Sequence, residues 1–387
     1  MIGMRAASLL LPFVLLGGAR AQDLLSETSC SQLSTSFPNL GRKSPLKFFV
    51  RTTRPWLNYA FRFQAGYSID IPLRQFVGTG NSIRVVAQVA PADGSAPPVC
   101  FLQSAELPEV PAGIKSEFHF AGGFFLGEGS YRIDLTVGDQ RGRLSRQHLN
   151  ITAVRKGRQR EVPLRLEHGS IQAIYRLGWQ PRPSPDGRAP RRLTVFFHAA
   201  SLYGPRSVFG FYDQGQLLSS LSSVLSEGAF DEVRLIAFNL DQQRELFRRD
   251  RFGVGDFHRL AETLPSVNRA TIPVAALEQG PQHLGWLESL LRDGLSAEPR
   301  PAAILFLGPE ARDGTRWKSL PCDSDRTGPR LFYFQLRIDV NICRECVQRE
   351  LPDTVERLVQ GCSGEVYRIH NPAELAAAIQ KLRDEVQ

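Results

Sequence analysis

The spacing of apolar residues changes near residue 193, and the rest of the chain alternates between strand and helix patterns. Short apolar runs such as TVFF and AAILFLG are typical of buried parallel strands. Between them, LLSSLSSVL has a leucine and valine stripe at helical spacing and places its serines on the other face. Asn371 followed by Pro372 predicts the start of a closing helix. Residues 193–387 therefore predict a doubly wound, mainly parallel α/β sheet.

Residues 22–153 follow a different pattern, with short strands and frequent turns. In YRIDLTV apolar and polar residues alternate, GDQRG is typical of a hairpin turn, and RLSRQHLNIT continues as the return strand. The stretch from residue 45 to residue 153 has no convincing helix pattern. We therefore expect an all-β sandwich, immunoglobulin-like, as the N-terminal domain.

A connector is predicted between the two domains, over residues 154–192. VRKGRQREV is charged, and QPRPSPDGRAPRR is rich in proline and arginine without an apolar period. A short strand is expected near Ile171–Tyr175.

The first 21 residues predict a signal peptide. Arg5 precedes the apolar run AASLLLPFVLLGG, and Ala19 and Ala21 are the small residues expected before a cleavage site at Gln22. That run is too short for a comfortable membrane span, and no second one follows. We expect an exported protein (periplasmic, cell-surface or extracellular) without a transmembrane segment after cleavage.

Charge changes this interpretation little. The chain has a formal net charge of +8, and its basic residues alternate with acids instead of forming one block. A nucleic-acid-binding protein more often concentrates them on one helix or tail, so we expect no nucleic-acid partner.

The cysteine count fits an oxidising compartment, where an even number favours disulfides. Pairing within each half is the simplest expectation. The first half contains Cys30 and Cys100, and the last quarter contains Cys322, Cys343, Cys346 and Cys362.

The element order over residues 190–387 resembles a von Willebrand factor type A domain: a strand, a long helix, a strand, an edge strand, then helices and three more strands. The ending VERLVQGCSGEVYRIHNPAELAAAIQKL is similar to that family's last helix, aromatic strand and closing helix. A secreted β-sandwich joined to such a domain resembles bacterial proteins of this family.

The resemblance implies a divalent cation at the top of the sheet, bound by Asp-x-Ser-x-Ser after the first strand, a loop threonine and a later aspartate. Here the first motif's positions hold His198, Ala200 and Leu202, and the aspartate's place holds Gly308. Only Thr271 matches the threonine. Because the carboxylates and both serine hydroxyls are missing, we predict no metal and no cofactor.

The same loops remain a candidate surface for metal-independent contacts. The residues proposed for this top face are His198, Ser201, Tyr203, Arg206 and Thr271.

The family's strand order also bears on the cysteines. It places Cys322 and Cys362 at one end of the sheet and Cys343 and Cys346 at the other, which favours the pairs Cys322–Cys362 and Cys343–Cys346. A four-cysteine zinc site conflicts with that separation. A redox role for the Cys343–Cys346 CxxC pair stays open as an alternative, because it follows a strand and precedes a possible helix.

A hydrolase is the other enzyme class considered. Ser201 follows the first strand and His370 the last, with Asp323 or Asp325 as a third member. The loop AASLY lacks the glycines that a nucleophile elbow needs. We therefore predict no catalytic residue and expect a secreted, non-enzymatic binding or scaffold protein that contacts a protein partner, with a thiol–disulfide protein as the alternative.

Overall fold

The computed structural model describes residues 22–36, 45–174, 179, 190–202, 209–267, 283–311, 328–337 and 353–386. The chain forms two compact units. The first unit contains residues 1–56, 63–154 and 166–174, and the second contains 57–62, 155–165 and 175–387.

The first unit is built from two antiparallel sheets. One has the order β1-β5-β4-β7-β8 and the other β2-β3-β6-β9. The strands are β1 (Asp23–Leu24), β2 (Phe49–Leu57), β3 (Phe63–Pro72), β4 (Ser82–Pro91), β5 (Val99–Glu106), β6 (Glu117–Leu126), β7 (Gly129–Asp139), β8 (Leu144–Ala153) and β9 (Ile171–Ala173).

Side chains from the two sheets meet in a shared core. The rings of Phe101 on β5 and Phe124 on β6 stack with centroids 5.8 Å apart. The Tyr67 hydroxyl donates to Gln103 Oε1 at 3.3 Å, and Gln103 Nε2 donates to the Ala121 carbonyl at 2.9 Å. Burial raises the pKa of Tyr67. β3 and β7 alternate buried apolar residues with more exposed, mostly polar ones along much of their length, because one face of each strand packs in this core.

A disulfide between Cys30 and Cys100 ties helix α1 (Glu27–Ser36) to β5. This helix was not predicted from the sequence. Its residues ETSCSQLSTS have no apolar stripe to reveal it. The covalent bond holds a segment that apolar burial alone would hold weakly.

We predict that the double variant Cys30→Ser/Cys100→Ser loses about 2–5 kcal/mol of unfolding free energy. The bond closes a loop with a sequence separation of 70, so its loss frees the unfolded chain. Urea unfolding of the variant and the oxidised parent measures the difference. Equal midpoints and slopes would contradict a stabilising role.

The second unit contains a six-stranded sheet with the order β12-β11-β10-β13-β14-β15, parallel except for the antiparallel edge strand β12. Its strands are β10 (Arg192–His198), β11 (Glu232–Asn239), β12 (Arg244–Arg249), β13 (Ala303–Pro309), β14 (Arg330–Leu336) and β15 (Glu365–Ile369). Its helices are α2 (Phe211–Glu227), α3 (Asp256–Thr263), α4 (His283–Leu295), α5 (Thr354–Gly361) and α6 (Pro372–Val386).

The central strands are buried on both faces, which explains their uninterrupted apolar runs. Phe196 on β10 and Phe306 on β13 stack with centroids 5.0 Å apart. Leu287 and Leu291 of α4 and Leu358 of α5 pack in the same cluster. No helix among the described residues is long and apolar enough to cross a membrane.

The serine face of α2 is buried as well as its leucine face. Ser223 Oγ donates to the Tyr59 carbonyl at 2.6 Å, and Arg165 Nη1 donates to the Ser222 carbonyl at 3.5 Å. Residues 57–62 and 155–165 belong to the same unit as this helix. Small side chains therefore let a second layer of chain pack on the serine face of α2.

The stretch expected as a connector over 154–192 contributes to both units. Residues 155–165 are assigned to the second unit and 166–174 to the first. The short strand expected near residue 171 is β9, and it pairs with β6 from Ile171↔Leu126 to Ala173↔Phe124.

Candidate functional site at the carboxyl edge of the parallel sheet

The candidate site lies where the parallel strands of the second unit end. β11 and then β12 are added on one side of β10, and the chain later returns to place β13 on the other side. The direction in which strands are added therefore reverses between β10 and β13. In open α/β sheets, ligands bind in the crevice outside such a reversal. His198 ends β10 and Pro309 ends β13.

His198 fills the gap between these two strand ends. Its Nδ1 lies 3.2 Å from the Pro309 carbonyl oxygen, and its ring stacks on Phe238 with centroids 5.1 Å apart. Gly308 makes this approach possible, because a Cβ there would lie 2.4 Å from the His198 carbonyl oxygen.

The contact with Pro309 assigns the tautomer of the ring. A carbonyl oxygen only accepts, so Nδ1 carries the proton and donates it, leaving a lone pair on Nε2. Nε2 has no hydrogen-bond partner among the described residues. Burial lowers the pKa of His198, partly offset by the charge of Asp241, the Pro309 carbonyl and the charge of Asp353. The imidazole is therefore held neutral.

Asp213, in the first turn of α2, organises the loop after β10. One carboxylate oxygen accepts the Leu202 N–H at 2.8 Å and lies 3.5 Å from Ser201 Oγ. The other accepts the Gly210 N–H at 2.8 Å. Asp213 is 2% exposed, so its carboxylate is available to the neighbouring backbone N–H groups and not to solvent.

Asn239 performs a similar task after β11. Its Nδ2 donates to the Ala199 carbonyl at 2.7 Å, and its Oδ1 accepts the Gln242 N–H at 2.8 Å. The loops that follow β10 and β11 are thereby joined through one buried amide.

Asp353 is the most heavily bonded group at this edge. As the N-cap of α5, its Oδ1 accepts the N–H groups of Val355 and Glu356 at 2.8 and 3.0 Å. Its Oδ2 accepts the Ala311 N–H at 3.1 Å and Gln335 Nε2 at 2.7 Å. The carboxylate therefore joins the ends of β13 and β14 to the start of a helix.

Tyr333 completes this cluster from β14. Its hydroxyl lies 3.0 Å from Asp353 Oδ2 and 2.9 Å from the Pro309 carbonyl oxygen. Burial raises the pKa of Tyr333 well above its ordinary value, and the Asp353 charge raises it further. The phenol is therefore a hydrogen-bond donor that stays protonated.

Ion pairs extend the cluster towards solvent. Arg337 Nε donates to Gln335 Oε1 at 2.7 Å, and the same guanidinium pairs with Glu310. Arg368 on β15 pairs with Glu356 on α5. Apart from His198 Nε2, the polar groups named above thus bind one another or the strand ends, which holds this edge together.

The residues predicted for the top face divide into two groups. His198 and Ser201 are placed at this edge, whereas Tyr203, Arg206 and Thr271 lie outside the described residues. Cys30 and Cys100 are bonded, and Cys362 is disulfide-bonded to a partner that the structure does not describe. Cys322, Cys343 and Cys346 also lie outside the described residues. The described part of the chain contains no group of three or more His, Cys, Asp or Glu side chains arranged for a metal.

Sequence reasoning missed Asp213, Asn239, Gln335 and Asp353. Asp353 had a recognisable signal, since Asp-Thr-Val-Glu is typical of a capped helix start. Asp213 had a weaker one, as an acidic residue in the first turn of a predicted helix. Asn239 and Gln335 had none, because their bonding partners are set by the meeting of strand ends.

The hydrolase alternative is opposed by the positions of its two described members. Ser201 follows β10 and His370 follows β15, with β13 and β14 between them. Three strand spacings separate those ends by about 14 Å, far beyond hydrogen-bond reach. Asp323 and Asp325 lie outside the described residues.

No family model matches this chain, and no curated protein matches it. Among solved structures, the ApaA protein from Bordetella pertussis is 12% identical, with a TM-score of 0.18, over 29% of this chain and 98% of its own. A conjugate transposon protein from Bacteroides vulgatus is 18% identical, with a TM-score of 0.16, over 30% and 93%. A beta-glucosidase from Listeria innocua is 14% identical, with a TM-score of 0.17, over 29% and 17%. These similarities are too low to assign a fold or a function.

We predict that His198 makes the protein less stable in mild acid. Its pKa is lower in the folded state than its unfolded value of about 6.5. Between those two pKa values the unfolded chain binds more protons than the folded protein. The stability that neutral His198 contributes is therefore fully present above about pH 6.5 and is lost as the pH falls towards the folded pKa. Unfolding free energies of the parent and His198→Asn, measured between about pH 5 and 8, test this. Asparagine can still donate to Pro309, so the variant should show a shallower acid decline; parallel curves would contradict the assignment.

We predict that Asp353→Ala lowers the unfolding free energy by about 2–4 kcal/mol, because the helix cap and the partners of both oxygens are lost together. Asp384→Ala, an exposed carboxylate on α6, is the matched control and should change it by less than about 0.5 kcal/mol. Equal urea midpoints for the two variants would show that the cluster adds little.

Proposed function

We propose that this protein is an exported, non-enzymatic binding protein. Its first unit is an immunoglobulin-like sandwich, and its second is a von Willebrand factor type A-like domain that contacts a protein partner without a metal ion. The observation that carries this proposal is the chemistry of the strand ends, where the buried carboxylates of Asp213 and Asp353 accept backbone N–H groups and the family's cation-binding oxygens are missing.

The sheet topology supports the domain proposal. A six-stranded parallel sheet with a single antiparallel edge strand next to β11 agrees with the element order that prompted the resemblance. Two facing antiparallel sheets in the first unit agree with a sandwich.

The residues present do not fit the family's divalent cation. Ala200 and Leu202 have no side-chain oxygen, and Leu202 is buried. His198 uses Nδ1 on Pro309, and Gly308 has no side chain. Mg²⁺ prefers hard oxygen ligands, which these four positions do not supply.

The Cys30–Cys100 disulfide supports an oxidising compartment, since such bonds persist mainly outside the cytosol. The signal peptide lies outside the described residues and stays a prediction. The alternative of a thiol–disulfide protein also stays a prediction, because Cys343 and Cys346 are not described. Counting the free thiols of the native protein distinguishes the proposed binding protein from the thiol–disulfide protein.

The proposal is tested by affinity capture from the exported proteome of the source cell, using residues 22–387 as bait. The same partner should be enriched with Mg²⁺ and with chelator, because no cation takes part. Ser201→Arg should weaken its capture, whereas Asp384→Arg, on the exposed face of α6, should not. Loss of capture in chelator, or no enriched partner in either condition, would contradict the proposal.

Melting temperatures give a second readout that needs no partner. A cation that binds only the folded protein raises the melting temperature by mass action. We predict no change with Mg²⁺, Mn²⁺ or Ca²⁺. A rise reversed by chelator would overturn the metal-independent assignment.

A further inference from the structure

The segment from Gln22 to Leu25 joins the two sheets of the first unit. Its backbone belongs to one sheet, because β1 pairs with β5 and the Leu25 N–H, just after β1, donates to the Cys100 carbonyl at 3.0 Å. The Gln22 side chain bonds the other sheet, at Gly123 on β6. The side chain therefore reaches from one sheet to the other.

The Gln22 amide binds the backbone of a single β6 residue through both of its polar atoms. Nε2 donates to the Gly123 carbonyl oxygen at 3.0 Å, and Oε1 accepts the Gly123 N–H at 2.9 Å. Gly122 leaves room for this approach, because a Cβ there would lie 2.7 Å from Gln22 Oε1. The amide uses a donor and an acceptor together, as a paired strand residue does, which fixes both its position and its orientation.

A second glutamine makes a similar contact beside it. Continuing the β1–β5 register by one residue from Asp23↔Leu102 places Gln22 opposite Gln103. Gln103 Nε2 donates to the Ala121 carbonyl of β6 at 2.9 Å. Two neighbouring amides of one sheet therefore bond alternate residues of the same strand in the other, and the Gln22 contact is part of how the two sheets meet.

Gln22 is also the residue that follows the predicted signal-peptide cleavage site. A glutamine with a free α-amino group can cyclise to pyroglutamate without an oxidant or any other reactant. The α-amino nitrogen attacks the side-chain Cδ, the Cδ–Nε2 bond breaks, and Nε2 leaves as ammonia with a proton given up by the amine. The ring closes only when the side chain turns back onto its own backbone nitrogen, so the amide must first leave Gly123.

We propose that the mature chain begins at Gln22 and that the folded protein keeps this residue from cyclising. Docking on Gly123 directs the amide away from the α-amino nitrogen, so the chain end stays an amine and the contact between the sheets is kept. Cyclisation in the folded protein proceeds only through the fraction of molecules in which the amide has undocked. The proposal rests on the export proposed above and does not involve the carboxyl-edge surface of the second unit.

The test follows the first residue of disulfide-bonded residues 22–387, with the free peptide QDLLSETS as the reference. Mass spectrometry of the N-terminal fragment detects the loss of one ammonia. The folded protein should cyclise about tenfold more slowly than the peptide, because two hydrogen bonds must break first. The protein unfolded in guanidinium chloride should match the peptide in the same solution. Equal rates for the folded protein and the peptide would overturn the proposal.

Leu25→Pro and Leu25→Ala form a matched pair of variants. Both remove the leucine side chain, but only proline removes the N–H that donates to Cys100. Proline also favours an extended backbone at Leu24, which the strand requires. The proline variant should cyclise several-fold faster than the alanine variant, because β1 holds Gln22 less firmly beside β6. Equal rates in two folded variants would contradict the docking; if the proline variant fails to fold, the comparison of the folded parent with the peptide decides.

The N-terminal peptide of the protein purified from its own cells tests the chain start separately. We expect Gln22 as the first residue, with its amide intact. Pyroglutamate at this position would overturn the protection by docking. A different first residue would overturn the predicted cleavage site, and the two failures are distinguished by the mass of the peptide.

Discussion

The carboxyl edge of the parallel sheet depends on a buried carbonyl oxygen, that of Pro309. His198 donates to it from β10, and the Tyr333 hydroxyl lies within hydrogen-bond distance from β14. These contacts join the ends of β10, β13 and β14 at the point where the strand order reverses. Asp353 then fixes the next loop to the same place through Ala311.

This arrangement determines what the edge can offer a ligand. Carboxylates that would bind a cation in an open crevice here accept backbone N–H groups, as Asp213 and Asp353 do. The oxygens of these carboxylates are already satisfied by hydrogen bonds, which hold them in place.

Much of the sheet could be predicted from the sequence, and the reason is burial. TVFF and AAILFLG are apolar without alternation because their strands are covered on both faces, and the Asn371–Pro372 cap marks α6 directly. The polar network could not be predicted in the same way. Asp353 bonds Gln335 and Ala311 only because parallel strands bring their ends together. Helix α1 was missed because a disulfide, not an apolar stripe, holds it.

The most direct test of this account is the protonation state of His198, read from a long-range ¹H–¹⁵N spectrum of the histidine-labelled protein. At neutral pH the ring should be neutral with its proton on Nδ1, and its signals should not move when Mg²⁺ is added. A ring protonated on Nε2 instead, or signals that shift with Mg²⁺, would contradict the bonding assigned to His198 and the proposed metal-independent edge.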